Sequence, residues 1–281
     1  MAANVGHPLP ETYMSRAAVL GWRSMARLVR PPSHSRRAEA RRRQARHWLA
    51  LTAALAVAIA ALMYTFDVTA IVAMPPRGTA SLWPLHILTA FGKASYILWA
   101  LFMTMIAALA LASAARGNRA GILIGFGTRI QFVFFAVLVP MLAGEVIKGI
   151  VGRARPFVGG HADPFNYSHF AWTEAYASFP SGHANAAFAL AFAMSAVWPR
   201  LRGAMWAYAV IIALTRIALL AHHPSDVVGG ALVGIVGAMA VRYWFAARRL
   251  VFTIRPNGTI EPLAGASLQH LKGVAHRASA P

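Results

Sequence analysis

Cysteine is absent from the 281 residues, which excludes disulfides, thiolate metal sites and a cysteine nucleophile. Acidic groups are almost absent. Eight Asp and Glu stand against 27 Lys and Arg, a formal net charge of +19. Lysine is scarce too, at Lys93, Lys148 and Lys272 only, so arginine supplies most of the charge. Charged residues make up 12% of the chain and the mean hydropathy is +0.53. That leaves too little polar surface for a water-soluble domain of this size, and the chain reads as an integral-membrane protein. Its arginines lie between apolar runs. This favours the lipid bilayer as partner and argues against nucleic acid.

Six apolar stretches approach the roughly 20 residues of helix that a bilayer requires. They are His47–Phe66, Ser95–Ser113, Ile122–Ile147, Ala184–Trp198, Ala204–Ala221 and Val227–Phe245. The fourth is short and carries Asn185 near its start. The expected fold is all-α, a bundle of six transmembrane helices over residues 47–249. A basic tail, residues 1–46, precedes it and a second tail, residues 250–281, follows. Ten arginines precede the first span, and arginines also occupy the second and fourth connections and the end of the sixth span. The positive-inside rule then assigns both termini to the cytoplasm. The connections Asp67–Ala94, Lys148–His183 and His222–Asp226 face outward. Lys148, Arg153 and Arg155 oppose that rule, which invites a functional reading.

In the first tail, Arg16, Arg23, Arg27 and Arg30 share one helical face, opposite Ala18, Trp22, Met25, Leu28 and Val29. Pro31-Pro32 closes the run. It reads either as an amphipathic helix on the inner leaflet or as a disordered basic tail. A cleaved secretory signal is not expected, because the first apolar run begins far from Met1.

Three segments concentrate chemistry at the outward ends of the spans, where ionisable groups are costly. In KGIVGRARP, a continued helix would return Lys148 and Arg155 to one face, with Pro156 ending it. The pair then forms an anion clamp, or the two cations merely snorkel. In PSGH, Ser181 can cap a helix that begins at Gly182. Free backbone N–H groups there favour an anion, and His183 can move a proton beside it. An ordinary capped helix start gives the same four residues. In TRIALLAHHPSD, Arg216 is buried in an apolar span and needs an anion or a partner. His222 and Asp226 are four apart, so Asp226 can accept a hydrogen bond from one ring nitrogen and leave the other as a nucleophile. A structural His–Asp cap fits that pair equally but leaves Arg216 unexplained.

Together these segments resemble the type 2 phosphatidic acid phosphatase family, relatives of the vanadium haloperoxidases. The matching residues are Lys148…Arg155-Pro156, Pro180-Ser181-Gly182-His183 and Thr215-Arg216…His222…Asp226, with Thr215 replacing the usual Ser. The resemblance implies a metal-independent lipid phosphatase with no cofactor and an outward-facing site. It implies that His222 attacks phosphorus, His183 protonates the leaving oxygen and Asp226 orients His222. Lys148, Arg155, Ser181, Gly182 and Arg216 would hold the phosphoryl oxygens.

Glu145, three residues before Lys148, suits an ion pair at the pocket, and Asn185 is a candidate pocket residue. The loop Phe157–Phe179, with His161, Asp163 and His169, suits a headgroup gate or a metal site. The expected substrate is a lipid phosphate or diphosphate, with the site facing the periplasm from a bacterial inner membrane. The other readings are a vanadate-dependent peroxidase on the same site and a non-catalytic lipid-binding or transport protein.

Overall fold

A computed structural model of the chain describes residues 12–263. Among them are nine α-helices: α1 Tyr13–Val29, α2 Arg37–Thr65, α3 Asp67–Val72, α4 Trp83–Ala90, α5 Ala94–Ala114, α6 Gly117–Val151, α7 Gly182–Val197, α8 Arg202–Ala218 and α9 Pro224–Ala247. Five helical segments are long and apolar enough to cross a membrane: Arg37–Thr65, Ala80–Ala114, Gly117–Val151, Pro199–Ala218 and Pro224–Ala247. The fourth expected span is α7. Its 16 residues reach about 24 Å at 1.5 Å each, short of a hydrocarbon core of about 30 Å.

Side-chain size explains why this short helix is central. Ala184, Ala186, Ala187, Ala189, Ala191 and Ala193 are all fully buried, so neighbouring backbones approach α7 closely. It packs between α6, α8 and α9. On α9, Gly230 and Gly234 complete the fit: a Cβ at Gly230 would run into the Ser181 carbonyl, and one at Gly234 into the Asn185 carbonyl. Apolar burial drives little association between helices in lipid, where small residues and van der Waals contact do the work. This packing registers the N-terminus of α7 beside the N-terminus of α9.

The core continues below with Phe132, Val133, Ala136 and Val137 of α6 against Val241 and Phe245 of α9. The outer helix α2 leaves Leu49, Val57 and Tyr64 exposed, as a lipid-facing helix does.

Three expectations change. The all-α fold gains a small antiparallel sheet, β1 Phe252–Ile254 with β2 Ile260–Pro262. It forms inside the expected second tail because Phe252 and Ile254 insert into the core, where Phe252 meets the Phe132 ring at 4.8 Å. The first tail is helical over α1, with Trp22 and Val29 exposed at 75% and 79%. Of the two readings of this tail, the helix is the one observed over Tyr13–Val29. Residues 1–11 and 264–281 of the two tails lie outside the described residues. The third change concerns α6, which ends at Val151 and not at Pro156. Gly152 stops it in a left-handed conformation, φ 59°, and a Cβ there would collide with the Ser168 carbonyl.

Close α7–α9 contact gives a direct prediction. Gly234→Val should lower the melting temperature in detergent, by about 1–3 kcal/mol of stability as overpacking does. Gly203→Ala, which meets open space, should leave it unchanged or raise it slightly.

Candidate active site

Arg153 organises the site from within. It is 1% exposed and lies in the loop after α6. One guanidinium nitrogen donates to Asp226 at 2.6 Å, and another to Asp67 at 2.9 Å. Its Nε donates to the Pro164 carbonyl at 2.9 Å. Ser225 closes the network, accepting from Arg153 at 2.6 Å and donating its backbone N–H to Asp67 at 2.9 Å. Burial alone would weaken the charge on Arg153, but Asp226 and Asp67 outweigh it and raise its pKa. Arg153 thereby ties α3, the loop and the first turn of α9 together.

Asp226 is fully buried and uses both oxygens. Oδ1 faces Arg153. Oδ2 accepts from the Ser178 hydroxyl at 2.6 Å and from the His223 backbone N–H at 2.8 Å, which caps α9. His222 does not bond to this carboxylate: Nδ1 is 4.0 Å from it. The direct His222–Asp226 hydrogen bond expected from their spacing is therefore replaced. His222 Nδ1 instead meets the Ser178 carbonyl oxygen at 2.8 Å. Spacing of four along the chain does not produce a helical pair here, because α9 begins only at Pro224 and His222 lies in the turn before it.

That bond fixes the tautomer. A carbonyl only accepts, so neutral His222 carries its proton on Nδ1 and its lone pair on Nε2. Burial chiefly, with Arg216, Arg155 and Lys148, pushes His222 down to about 3 against the opposing pull of Asp226. Its imidazole is neutral at ordinary pH.

Other expected residues gather around it. Ser181 is the N-cap residue of α7, and Gly182 begins the helix. The Ser181 hydroxyl does not cap the helix. Among the described residues it is buried without a hydrogen-bond partner, as are His183 Nε2 and Arg216 Nε. Three polar atoms left open beside a helix N-terminus match an anion-binding site. A Cβ on Gly182 would lie 3.1 Å from Lys148 Nζ, so this glycine keeps the cation close to the backbone. Arg155 reaches the site from the loop and not from a continued helix. Its Nε donates to the Glu174 carbonyl at 2.9 Å and its backbone N–H to that of Ala175 at 2.8 Å. Lys148 and Arg155 line one cavity of about 230 Å³ with Glu145, Trp172 and Tyr176.

Glu145 pairs with Lys148 at 2.6 Å, as expected. Asn185 is buried, donates to the Pro140 carbonyl at 2.8 Å and abuts Gly144 and Gly234, while its Oδ1 has no hydrogen-bond partner among the described residues. In the loop, His169 contacts the Val151 carbonyl at 2.8 Å, and Asp163 accepts the Phe165 N–H at 2.8 Å. Among the described residues, no three His, Asp or Glu gather to hold a metal.

Sequence reasoning missed Arg153, Asp67, Ser178 and Thr89. The last, on α4, accepts from Arg216 at 2.7 Å. Only Arg153 left a trace, as a cation opposing the positive-inside rule.

Replacing Arg153 by Gln should cost about 3–5 kcal/mol, because two buried carboxylates lose their partner. Thermal unfolding in detergent measures this, and Arg153→Lys should rescue it only in part, since an ammonium lacks the fork that spans both carboxylates. The His222 pKa lies below its unfolded value of 6.5, so the unfolded state binds the extra proton between about pH 3 and 6.5. Stability should therefore rise with pH across that window. His222→Asn should flatten this rise relative to the wild type.

The PAP2 superfamily model matches residues 130–250, which contain all three motif segments. A lipid A 1-phosphatase of Rhizobium johnstonii is 30% identical over 176 residues, 62% of this chain and 71% of that protein. A lipid A 1-phosphatase of Rhizobium etli is 29% identical over 204 residues, 72% of this chain and 86% of that protein. A provisionally named undecaprenyl-diphosphatase of Escherichia coli is 31% identical over 112 residues, 39% of this chain and 54% of that protein. No solved structure matches the chain. With its motifs inside the matched region and a relative covered over more than two thirds of its length, this chain belongs to the PAP2 superfamily.

Proposed function

We propose that this protein is a membrane lipid-phosphate phosphatase acting through a phosphohistidine on His222. One observation carries the reading: Nδ1 of His222 is committed to the Ser178 carbonyl, which leaves a neutral Nε2 among Arg216, Arg155 and Lys148. Nε2 attacks phosphorus, and the bond from phosphorus to the lipid oxygen breaks. The bound phosphate offsets the surrounding cations, so His183 takes up a proton from solvent and gives it to that oxygen. Water then attacks the phosphohistidine, His183 takes the proton, and inorganic phosphate leaves with His222 restored.

Lys148, Arg155 and Arg216 neutralise the phosphoryl oxygens, assisted by Ser181 and the Gly182 amide. Phosphoryl transfer depends mostly on such positioning and charge stabilisation, so these cations can serve without a metal. Asp226 acts at one remove, holding Ser178 and through it the ring of His222.

In this reading six helices cross a bacterial inner membrane, with both termini cytoplasmic and the site facing the periplasm. Arginine distribution and the bacterial relatives support that arrangement. Those relatives favour a lipid A phosphate as substrate.

Phosphate release by purified protein in detergent tests the proposal. The panel is a lipid A phosphate, an isoprenoid diphosphate, phosphatidylglycerol phosphate and phosphatidate, without added metal. The lipid A phosphate should turn over fastest. His222→Ala and His183→Ala should each lower kcat on the order of 10³-fold or more. Full activity in His222→Ala would defeat the mechanism.

A further inference from the structure

A second polar cavity lies at the other end of α9, between α2, α9 and the β-hairpin. Met239 marks its level on α9. It is thirteen residues from Asp226, or about 20 Å along the helix. The cavity holds about 240 Å³, against roughly 30 Å³ per water in the liquid. Arg43, Gln44, His47 and Arg242 line it, and among the described residues no carboxylate does.

Two of its polar groups lack partners. Arg242 Nε is sealed from solvent and makes no hydrogen bond among the described residues, although the guanidinium carbon lies 5.3 Å from the centre of the Phe192 ring. Gln44 is 8% exposed and donates to the Met239 carbonyl at 2.5 Å, but its Oε1 accepts from nothing. Buried polar atoms are rarely left this way without a role. The arginine asks for an acceptor and the amide oxygen for a donor. A bare apolar plug satisfies neither. Of the nearby acids, Glu261 is already paired with Arg255 at 2.7 Å, and the Glu39 side chain does not line the cavity.

The sequence places this cavity at headgroup depth. On α2 the charged run Arg41–His47 gives way to the apolar run that begins at Trp48. At this same end of the bundle α1 exposes Trp22, Met25 and Val29, a face suited to the boundary of a bilayer. Arg30 at the end of α1 donates to the Arg248 carbonyl just past α9.

We propose that this cavity binds the phosphate group of an anionic phospholipid headgroup, on the face opposite the candidate active site. Arg43, Arg242 and His47 face the phosphate oxygens, and a headgroup hydroxyl donates to Gln44 Oε1. A phosphoglycerol headgroup supplies both groups, whereas a choline headgroup lacks the hydroxyl and the net charge. The arginine forks suit the phosphate better than ammonium groups would. This site does not depend on the phosphatase reading.

Thermal unfolding of the purified full chain in detergent tests it, with added phosphatidylglycerol, phosphatidylcholine or inorganic phosphate. Phosphatidylglycerol should raise the melting temperature of the wild type in a saturable way. Arg43→Gln/His47→Gln, both changes at accessible positions, should weaken that binding about tenfold or more, as loss of charge-assisted bonds does. Arg242→Gln should do the same. If it fails to fold, the double variant decides. His222→Ala should keep the full lipid response, which separates this site from the catalytic one. An unchanged response in the double variant, or an equal response to phosphatidylcholine, overturns the proposal. A response to inorganic phosphate with none to lipid overturns the headgroup as its source.

Discussion

Burying Arg153 between Asp67 and Asp226 is the constraint on which the rest of the site depends. Removing three charged groups from water is expensive, and their attraction offsets that cost only when the remaining donors and acceptors are satisfied. Here they are. Three parts of the chain supply partners: Asp67 of α3, the Pro164 carbonyl of the loop, and Ser225 with Asp226 in the first turn of α9. Removing Arg153 takes the cationic partner from both buried carboxylates at once, so the network behaves as a unit. Its output is the position of Asp226. From Asp226 the geometry passes to Ser178 and then to the ring of His222.

Around that rigid centre the electrostatics are one-sided. Lys148, Arg155 and Arg216 approach the two histidines against a single acid of the pocket, Glu145, which pairs with Lys148, while Asp226 and Asp67 are engaged with Arg153. Such a site repels cations and invites an anion. Burial, together with these cations, keeps the His222 imidazole neutral and its lone pair free to attack. The unpaired Ser181 hydroxyl, His183 Nε2 and Arg216 Nε belong to the same logic, since each stands ready for oxygen atoms that the protein itself does not provide. A short α7 makes this arrangement feasible. Its alanine surface lets α6, α8 and α9 crowd in and bring their chemistry to one end.

Much of this was legible in sequence. Hydropathy located α2 and α5 to α9. Motif spacing brought Lys148, Arg155, Gly182, His183, Arg216, His222 and Asp226 into view, and the i, i+3 spacing of Glu145 and Lys148 foretold their ion pair. What escaped were partners far apart in the chain or supplied by backbone. Asp67 and Arg153 are separated by 86 residues, and no local pattern joins them. The Ser178 carbonyl that holds His222 has no side-chain signature at all. Gly152 in GIVGRARP was available as a helix stop, but the seven-residue spacing of two cations suggested a longer helix. The hairpin eluded notice because its strands have three residues each, and its stability comes from burying Phe252 and Ile254 against distant helices.

The central claim is that the Nε2 lone pair of His222 accepts the phosphoryl group. Rapid acid-free quenching during turnover of a lipid phosphate, followed by peptide mass spectrometry, reads this directly. A phosphohistidine on the His222 peptide, lost in the His222→Ala protein, is the result the structure predicts. Phosphate carried on any other residue, or turnover with no covalent adduct under conditions that trap one, would contradict it.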